Sequence, residues 1–146
     1  MPSNTIFAPT GLNQFQSNNV NFLARGVTGT VPAGLIAGID LKMDDDMLIT
    51  GCQMSTKGAA FGDYVNLRVV DVDNVMGFGA GAILNQFCDK WYLMGDGSAN
   101  GTQQIFIQVP YPAKLSAGLY LRADYHSTGV TTVQVNINYL LHKVLY

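Results

Sequence analysis

The sequence predicts an all-β protein, an antiparallel β-sandwich preceded by an extended N-terminal arm. From residue 20 onward, short apolar segments and turn-forming residues alternate at the roughly 8–12-residue spacing that is typical of sandwiches and barrels. One segment, TTVQVNINYLL, has an apolar residue at every second position from Val133 to Leu141, as a half-buried strand does. The length of 146 residues favours one domain, which we place at residues 20–146.

The arm, residues 1–19, is rich in Asn, Gln, Ser, Thr and Pro, and its large apolar residues stand in isolation. Such side chains need a surface to contact, either on this subunit or on a neighbouring one. We therefore predict that the arm contributes to a subunit interface. The interface candidates are Ile6, Phe7, Leu12 and Phe15.

The first strands of the sandwich are predicted around a cluster of acidic residues. The segments LIAGIDLKM and MLITGCQM flank Asp44–Asp46, which suit a solvated tight turn. In the next segment, GDYVNLRVVDV, every second residue is apolar, which places Val65, Leu67 and Val69 on one face of a strand.

A glycine-rich run, residues 77–82, follows that strand and resembles two kinds of binding motif. Gly77, Gly79 and Ala82 satisfy the relaxed nucleotide pattern G-x-G-x-x-A, but no βαβ rhythm surrounds them. Asp71 and Asp73 resemble the opening of a calcium loop, but the twelfth position of that loop is Ala82, not Glu. We predict a plain connection that binds neither ligand, and a looser carboxylate site at Asp71 and Asp73 stays open.

The segment AILNQFCDKWYLM permits two interpretations. Leu84, Phe87 and Trp91 stand near helical spacing, whereas a turn at Asp89 would divide the segment into two strands. The β-rich neighbourhood favours strands. The segment DGSANGT, residues 96–102, has the composition of a loop.

Two further strands and a hairpin are predicted in the last third of the chain. QQIFIQV alternates around Ile107, and we expect Pro110 and Pro112 to end that strand. GLYLRADYH alternates as well, and its turn-linked successor is TTVQVNINYLL, so the two should pair as a hairpin. The predicted core residues of these two strands are Leu119, Leu121, Ala123, Tyr125, Val133, Val135, Ile137, Tyr139 and Leu141. The outward residues of GLYLRADYH are Tyr120, Arg122 and Asp124.

Composition restricts the classes of function. Hydrophobic residues make up 48% of the chain and charged residues 12%, about half the usual ~25%. Uncharged polar surface is cheap to desolvate, so this composition favours a protein that packs into assemblies, and we expect a homo-oligomer. The net charge is −2 and the basic residues are scattered, which argues against direct nucleic-acid binding.

No membrane or secretory segment is expected. The N-terminus lacks the basic and apolar regions of a signal peptide, and no apolar run reaches the ~18 residues that a membrane span needs. The sequence thus predicts synthesis in a reducing cytoplasm. Cys52 and Cys88 are interpreted as buried thiols, with a disulfide between them left open.

No catalytic, cofactor-binding or metal-binding residue is predicted. His126 and His142 are the only histidines, and no nucleophile or metalloprotease motif accompanies them. We therefore expect a protein that is not an enzyme. An alternative from another class is a sugar-binding module, in which aromatic residues form a stacking platform. The aromatic candidates are Trp91, Tyr92, Tyr111, Tyr120, Tyr125 and Tyr139.

Four segments resemble small structural proteins of tailed bacteriophages. They are VPYPAKLSAGLYLRADYHSTG, VNINYLLHKVL, FGDYVNLRVVDVDNV and the QF…KWYL segment, and the similar region covers about residues 35–146. The resemblance implies a jelly-roll-like sandwich and a virion protein made in the host cytoplasm. It implies a capsid decoration (cement) protein that binds the major capsid protein or other virion subunits and stabilises the shell, or else a tail or neck accessory protein. No cofactor or catalytic site is implied.

Overall fold

The computed structural model describes residues 20–71 and 83–144. These ranges contain eight β-strands and no helix. The strands are β1 (Val20–Val31), β2 (Ile36–Lys42), β3 (Met47–Lys57), β4 (Ala60–Val70), β5 (Ile83–Asp96), β6 (Thr102–Leu115), β7 (Tyr120–His126) and β8 (Val133–Val144). The predicted arm, with Ile6, Phe7, Leu12 and Phe15, and the glycine-rich run 77–82 lie outside the described residues.

The strands form two four-stranded antiparallel sheets. Sheet A has the order β1-β8-β3-β6 and sheet B the order β2-β7-β4-β5. The first strand pairs with the last, the second with the seventh, the third with the sixth and the fourth with the fifth. A chain folded back on itself in this way and wrapped into two sheets is a jelly roll, so the predicted fold is confirmed.

The core lies between the two sheets, and the period-two pattern identified its residues correctly. Val133, Val135 and Ile137 of β8 are at most 1% exposed. Val65 and Leu67 of β4 face them from sheet B and are fully buried. The remaining predicted core residues that are buried are Val69, Leu121, Ala123, Tyr125, Tyr139 and Leu141, and Leu119 packs at the margin of the core.

The predicted hairpin between the last two strands is wrong. β7 pairs with β2 and β4 in sheet B, whereas β8 pairs with β1 and β3 in sheet A. The connection between them therefore crosses from one sheet to the other. It is fixed by Thr128, whose backbone N and Oγ1 donate to Asp63 Oδ1 at 2.7 and 2.8 Å. Alternation predicts which face of a strand is buried, but it does not show which strands pair. Two strands in opposite sheets bury their faces against the same core and have the same pattern as a hairpin.

The prediction that Pro110 and Pro112 end a strand is also wrong. β6 continues to Leu115, and its register with β3 shifts so that Ile49 is opposite Ala113 and Gly51 opposite Gln108. The prolines thus fall in an irregular stretch of the strand. β6 is the edge strand of sheet A, where a missing N–H removes no bond to a further strand.

The ambiguous segment forms strand structure, as favoured from the sequence, but it is one strand and not two. β5 runs through Asp89 without a turn. Its register with β4 shifts between Val65, opposite Trp91, and Leu67, opposite Cys88. The two residues 89 and 90 are opposite the single residue Asn66 and form a bulge. Lys90 in this bulge has a φ of 53°, a left-handed conformation that is uncommon outside glycine.

Candidate functional site

The outer face of sheet A presents a surface that is four strands wide. Side chains at every second position of each strand point away from the core, and the strand register aligns them in rows across the sheet. One row reads Thr28, Asn136, Ser55 and Gln104. The flanking rows read Thr30, Gln134, Lys57 and Thr102 on one side, and Gly26, Asn138, Gln53 and Phe106 on the other. A fourth row reads Ala24, Leu140, Gly51 and Gln108.

This four-row surface, which we call the neutral face, is almost free of charge. Within its described rows, Lys57 is the only residue with a formal charge. The next row toward the Asp44–Asp46 turn contains Lys114 and His142, so the neutral region ends there. Hydroxyl and amide groups fill the interior of the face, and they can exchange water for a partner's polar groups without the large desolvation cost of an ion.

A glycine of the neutral face makes room for a neighbouring side chain. A Cβ atom placed on Gly26 would lie 2.7 Å from Oδ1 of Asn138 on the neighbouring strand. The amide of Asn138 therefore lies close over the backbone of β1, and a side chain at position 26 would displace it.

A second surface feature lies where the edge strands β5 and β6 of the two sheets run side by side. A groove of about 530 Å³ opens between them. Its β5 wall carries Trp91, Tyr92 and Met94, which are 39%, 56% and 70% exposed. Its β6 wall includes Gln103 and Gln104. Exposed apolar side chains along an edge strand are a common feature of interaction sites.

The outer face of sheet B differs from the neutral face because it carries buried ion pairs. Arg122 donates from Nε and a terminal nitrogen to the two carboxylate oxygens of Asp40 at 2.8 and 2.9 Å. Arg68 donates to Asp124 Oδ2 at 2.8 Å. Burial raises the pKa of Asp124, and the nearby Arg68 and Arg122 charges oppose that rise. The sequence predicted Arg122 and Asp124 to face outward, but both are at least 98% buried.

The bulge in β5 is connected to His126 through one asparagine. Asn66 Oδ1 accepts a 2.7 Å hydrogen bond from the backbone N of Lys90, which orients the amide so that Nδ2 faces His126 Nε2 at 3.4 Å. An amide nitrogen can only donate, so Nε2 is the acceptor in this contact. Burial, together with the charges of Arg68 and Lys90, lowers the pKa of His126. The ring of Tyr64 stacks on it at 4.1 Å.

The acidic turn is solvated and its side chains diverge, as predicted. Asp44 pairs with Arg25 at 3.2 Å and Asp45 with Lys143 at 3.1 Å. Asp46 Oδ1 accepts a hydrogen bond from the backbone N of residue 117. Since each carboxylate has its own partner, the three do not converge on a common ligand.

The described residues contain no metal-binding cluster and two free thiols. Across residues 20–71 and 83–144, no group of three or more His, Cys, Asp or Glu side chains is arranged to hold a metal ion. Cys52 and Cys88 are free thiols, the first buried and the second half-buried. Burial, and secondarily Cys88, raises the pKa of Cys52 to about 12, so its reactive thiolate is scarce at neutral pH. The same ranges contain no helix of the length and hydropathy needed to span a membrane.

The predicted aromatic platform is divided by the fold. Tyr125 and Tyr139 are fully buried in the core, whereas Trp91 and Tyr92 stand exposed at the β5–β6 groove. The ring of Tyr92 lies 5.4 Å from that of Tyr64. Only part of the set predicted from composition is therefore in a position to contact a ligand.

Comparison with known proteins finds similarity among solved structures alone. No protein-family model matches the sequence, and no match is found among curated proteins. The chain is similar to a BFDV capsid protein crystallised as a 60-mer, with 12% identity, coverage of 87% of this chain and 93% of that chain, and a TM-score of 0.38. The decameric BFDV capsid protein gives 11% identity, 84% and 97% coverage and a TM-score of 0.38.

A structure of the infectious bursal disease virus Gx strain is also similar, with 6% identity and a TM-score of 0.35. The similarity covers 88% of this chain and 37% of that viral chain. The assignment of the jelly roll in the present protein rests on its own strand order.

Sequence reasoning did not identify the neutral face or the groove. One signal was present, because the outward positions of β8, Gln134, Asn136 and Asn138, are all uncharged. The alignment of these residues with Ser55 and Gln104 depends on the pairing of β3 with β8 and β6. Because those strands are far apart in sequence, the pattern could not be read along the chain.

Proposed function

We propose that this protein is a non-enzymatic structural subunit of a virion that assembles through the neutral face of sheet A. The observation that carries the proposal is the concentration of uncharged polar residues in four adjacent rows on the outer face of sheet A, while the buried ion pairs are on the other sheet. A face of hydroxyl and amide groups can be buried against another subunit at low desolvation cost. A soluble monomer would gain nothing from removing charge from four adjacent rows of one face.

The assignment to a virion draws on two further observations. The strand order is that of a jelly roll, an architecture used by viral capsid proteins and also by lectins and cupins. The C-terminal segments resemble structural proteins of tailed bacteriophages. Fold alone does not fix function, so the specific role, a decoration or cement protein on the capsid or an accessory protein of the tail or neck, is part of the proposal. Its partners would be the major capsid protein, other virion subunits and further copies of itself.

The virion role is tested by mass spectrometry of particles purified from cultures that carry the coding sequence. The protein should co-purify with the particles in a fixed ratio to the major capsid protein through density-gradient centrifugation. Its absence from purified particles, with the protein present in the lysate, would contradict the proposal.

The role of the neutral face is tested by one isosteric substitution with a matched control. Asn136→Asp adds a negative charge at the centre of the face, and Asn100→Asp adds the same charge in the exposed connection between β5 and β6. Burying an unpaired charge costs several kcal/mol, so Asn136→Asp should weaken self-association or particle binding about a hundredfold or more. Sedimentation velocity and co-sedimentation with particles measure the effect. If the two variants self-associate and bind particles equally well, the neutral face is not the assembly interface.

A carbohydrate-binding module is the second candidate, and the exposed pair Trp91 and Tyr92 beside two glutamine amides favours it. Aromatic faces stack on sugar rings and amides bond to sugar hydroxyls. A glycan array discriminates between the candidates, because an assembly subunit should give no saturable signal that depends on Trp91.

A further inference from the structure

The groove between β5 and β6 has the features of a docking site for an extended segment. Both strands are at the end of their sheets, so each has one edge without a neighbouring strand of its own sheet. The backbone N of Met94 donates to Oε1 of Gln103 across the groove at 3.1 Å. The backbone N–H of Met94 at this sheet edge is therefore bonded to the side chain of Gln103 and not to a further strand. Such an edge, rimmed by exposed apolar side chains, can accept an added extended segment.

The chemistry of the groove restricts the occupant to an uncharged segment. The residues that line it are Trp91, Tyr92, Met94 and the stretch 102–105, none of which carries a charge. A charged peptide would lose hydration there without gaining an ion pair. A segment that carries apolar anchors among amide and hydroxyl groups would fill the apolar wall and bond to Gln103 and Gln104.

The first nineteen residues of this chain have that chemistry. Residues 1–19 contain no Asp, Glu, Lys or Arg, and they carry Ile6, Phe7, Leu12 and Phe15 among Asn, Gln, Ser and Thr. The prolines at positions 2 and 9 lack the N–H that an added strand would donate. The longest proline-free run, residues 10–19, contains Leu12 and Phe15.

We propose that residues 1–19 of one subunit dock into the β5–β6 groove of a neighbouring copy, with Leu12 and Phe15 against Trp91 and Met94. This inference rests on the proposed assembly function. The arm joins the fold at Val20, the start of β1, and β1 is at the opposite edge of sheet A from β6. The two edges are three strand spacings apart, about 14 Å, and Gln104 of the groove lies in the row of Thr28, eight residues or about 27 Å along β1 from Val20. The five residues from Phe15 to Val20 span at most about 18 Å.

Phe15 therefore cannot reach the groove of its own subunit, and the direct path to that groove lies across the outer face of sheet A. That is the neutral face, which the proposed function assigns to contact with another subunit. An arm that leaves β1 toward a neighbour avoids the conflict. It also connects the two surfaces, because the subunit packed on the neutral face is within range of the arm.

The single tryptophan of the chain provides the measurement. Trp91 is in the groove and residues 1–19 contain no tryptophan, so its emission reports occupancy. In the full-length protein, emission should shift to the blue as concentration rises. In dilute full-length protein, a synthetic peptide of residues 1–19 should produce the same shift saturably. A scrambled peptide should not, and a peptide with Leu12→Ser and Phe15→Ser should bind at least tenfold more weakly.

Two isosteric variants of β6 separate the groove from the rest of the neutral face. Gln104→Glu adds a charge to the groove wall, whereas Gln108→Glu adds the same charge on the same strand and the same outer face but away from the groove. Peptide binding should weaken at least tenfold in Gln104→Glu and stay unchanged in Gln108→Glu.

Three outcomes would overturn the inference. The first is that the peptide gives no saturable shift of Trp91 emission up to millimolar concentration. The second is that Trp91 emission is already blue-shifted at nanomolar protein and insensitive to peptide, which would place the arm of the same chain in the groove. The third is that oligosaccharides shift Trp91 emission where the peptide does not, which would assign the groove to sugar binding. These results leave the tests of the proposed function intact, because the Asn136→Asp comparison and the particle analysis do not depend on Trp91.

Discussion

Tyr125 donates a 2.8 Å hydrogen bond from its phenolic oxygen to Oδ2 of Asp63, and both residues are fully buried. The same carboxylate accepts bonds from the backbone N of Ala60 at 3.0 Å and from two groups of Thr128. Asp63 therefore ties the beginning of β4, the end of β7 and the crossover between the sheets to one point. A buried carboxylate is tolerated there because donors surround it.

Removing the hydroxyl of Tyr125 should destabilise the fold. In Tyr125→Phe, the Asp63 carboxylate loses one hydrogen-bond donor, and hydrogen bonds to carboxylates contribute about 1.5–3 kcal/mol. We expect a loss of that size in the free energy of unfolding, measured by urea denaturation at pH 7.

Tyr139 provides the matched control for this substitution. It is as buried as Tyr125, but its hydroxyl has no hydrogen-bond partner among the described residues. Tyr139→Phe removes an unsatisfied polar group and should be neutral or stabilising. Equal losses in the two variants would show that the Asp63 contact contributes nothing specific.

Breaking the ion pair between Arg122 and Asp40 should cost about 3–5 kcal/mol of unfolding free energy, because Arg122→Met leaves Asp40 largely buried without its partner. Arg25→Met breaks an exposed pair with Asp44 and should change stability by less than about 1 kcal/mol. Thermal and urea unfolding of the two variants check the difference, and a small effect in Arg122→Met would contradict the argument from burial.

Acidification should destabilise the protein through His126. Its pKa is lowered in the folded state, so the folded protein binds fewer protons than the unfolded chain. The stability associated with this residue is complete above the ordinary pKa of about 6.5 and is lost as pH falls from there through the folded pKa. The thermal midpoint of the wild type should therefore decrease as the pH is lowered from 7.5 to 5.

His126→Gln should reduce that slope. His142 has the same direction of pKa shift, caused by burial, so His142→Gln should remove a separate part of it. Asp124, with its raised pKa, acts in the opposite direction, since the cost of its burial is relieved as pH falls. Parallel profiles for the wild type and His126→Gln would exclude His126 as a source of the pH dependence.

Gly95→Ala should be strongly destabilising. A Cβ at this buried position in β5 would collide with the backbone carbonyl of Ala59, and backbone cannot move aside as a flexible side chain can. We expect a loss of at least about 2 kcal/mol, within the range of overpacking in a core. Met94→Ala, at the exposed neighbouring position, serves as the control in the same unfolding assay and should change stability by about 0.5 kcal/mol or less.

The sequence by itself determined the fold class, most strand positions and the residues of the core. Val133 to Leu141 and Val65 to Val69 alternate because consecutive side chains of a strand point to opposite faces, and one face is buried. This information is local, so it can be read along the chain. The acidic turn at Asp44–Asp46 was predictable for the same reason, since turn chemistry depends on adjacent residues.

The tertiary structure alone decided which strands pair and what the outward faces become. β7 and β8 are neighbours in sequence and have the alternation of a hairpin, yet they lie in different sheets. β6 accommodates two prolines because it is at an edge. Arg122 and Asp124 occupy outward positions and are nevertheless buried, and the neutral face exists only because β1, β8, β3 and β6 align in register. Each of these features depends on contacts between residues far apart in the chain. The two-residue alternation of apolar side chains along a strand shows only that one face of that strand is buried in the core.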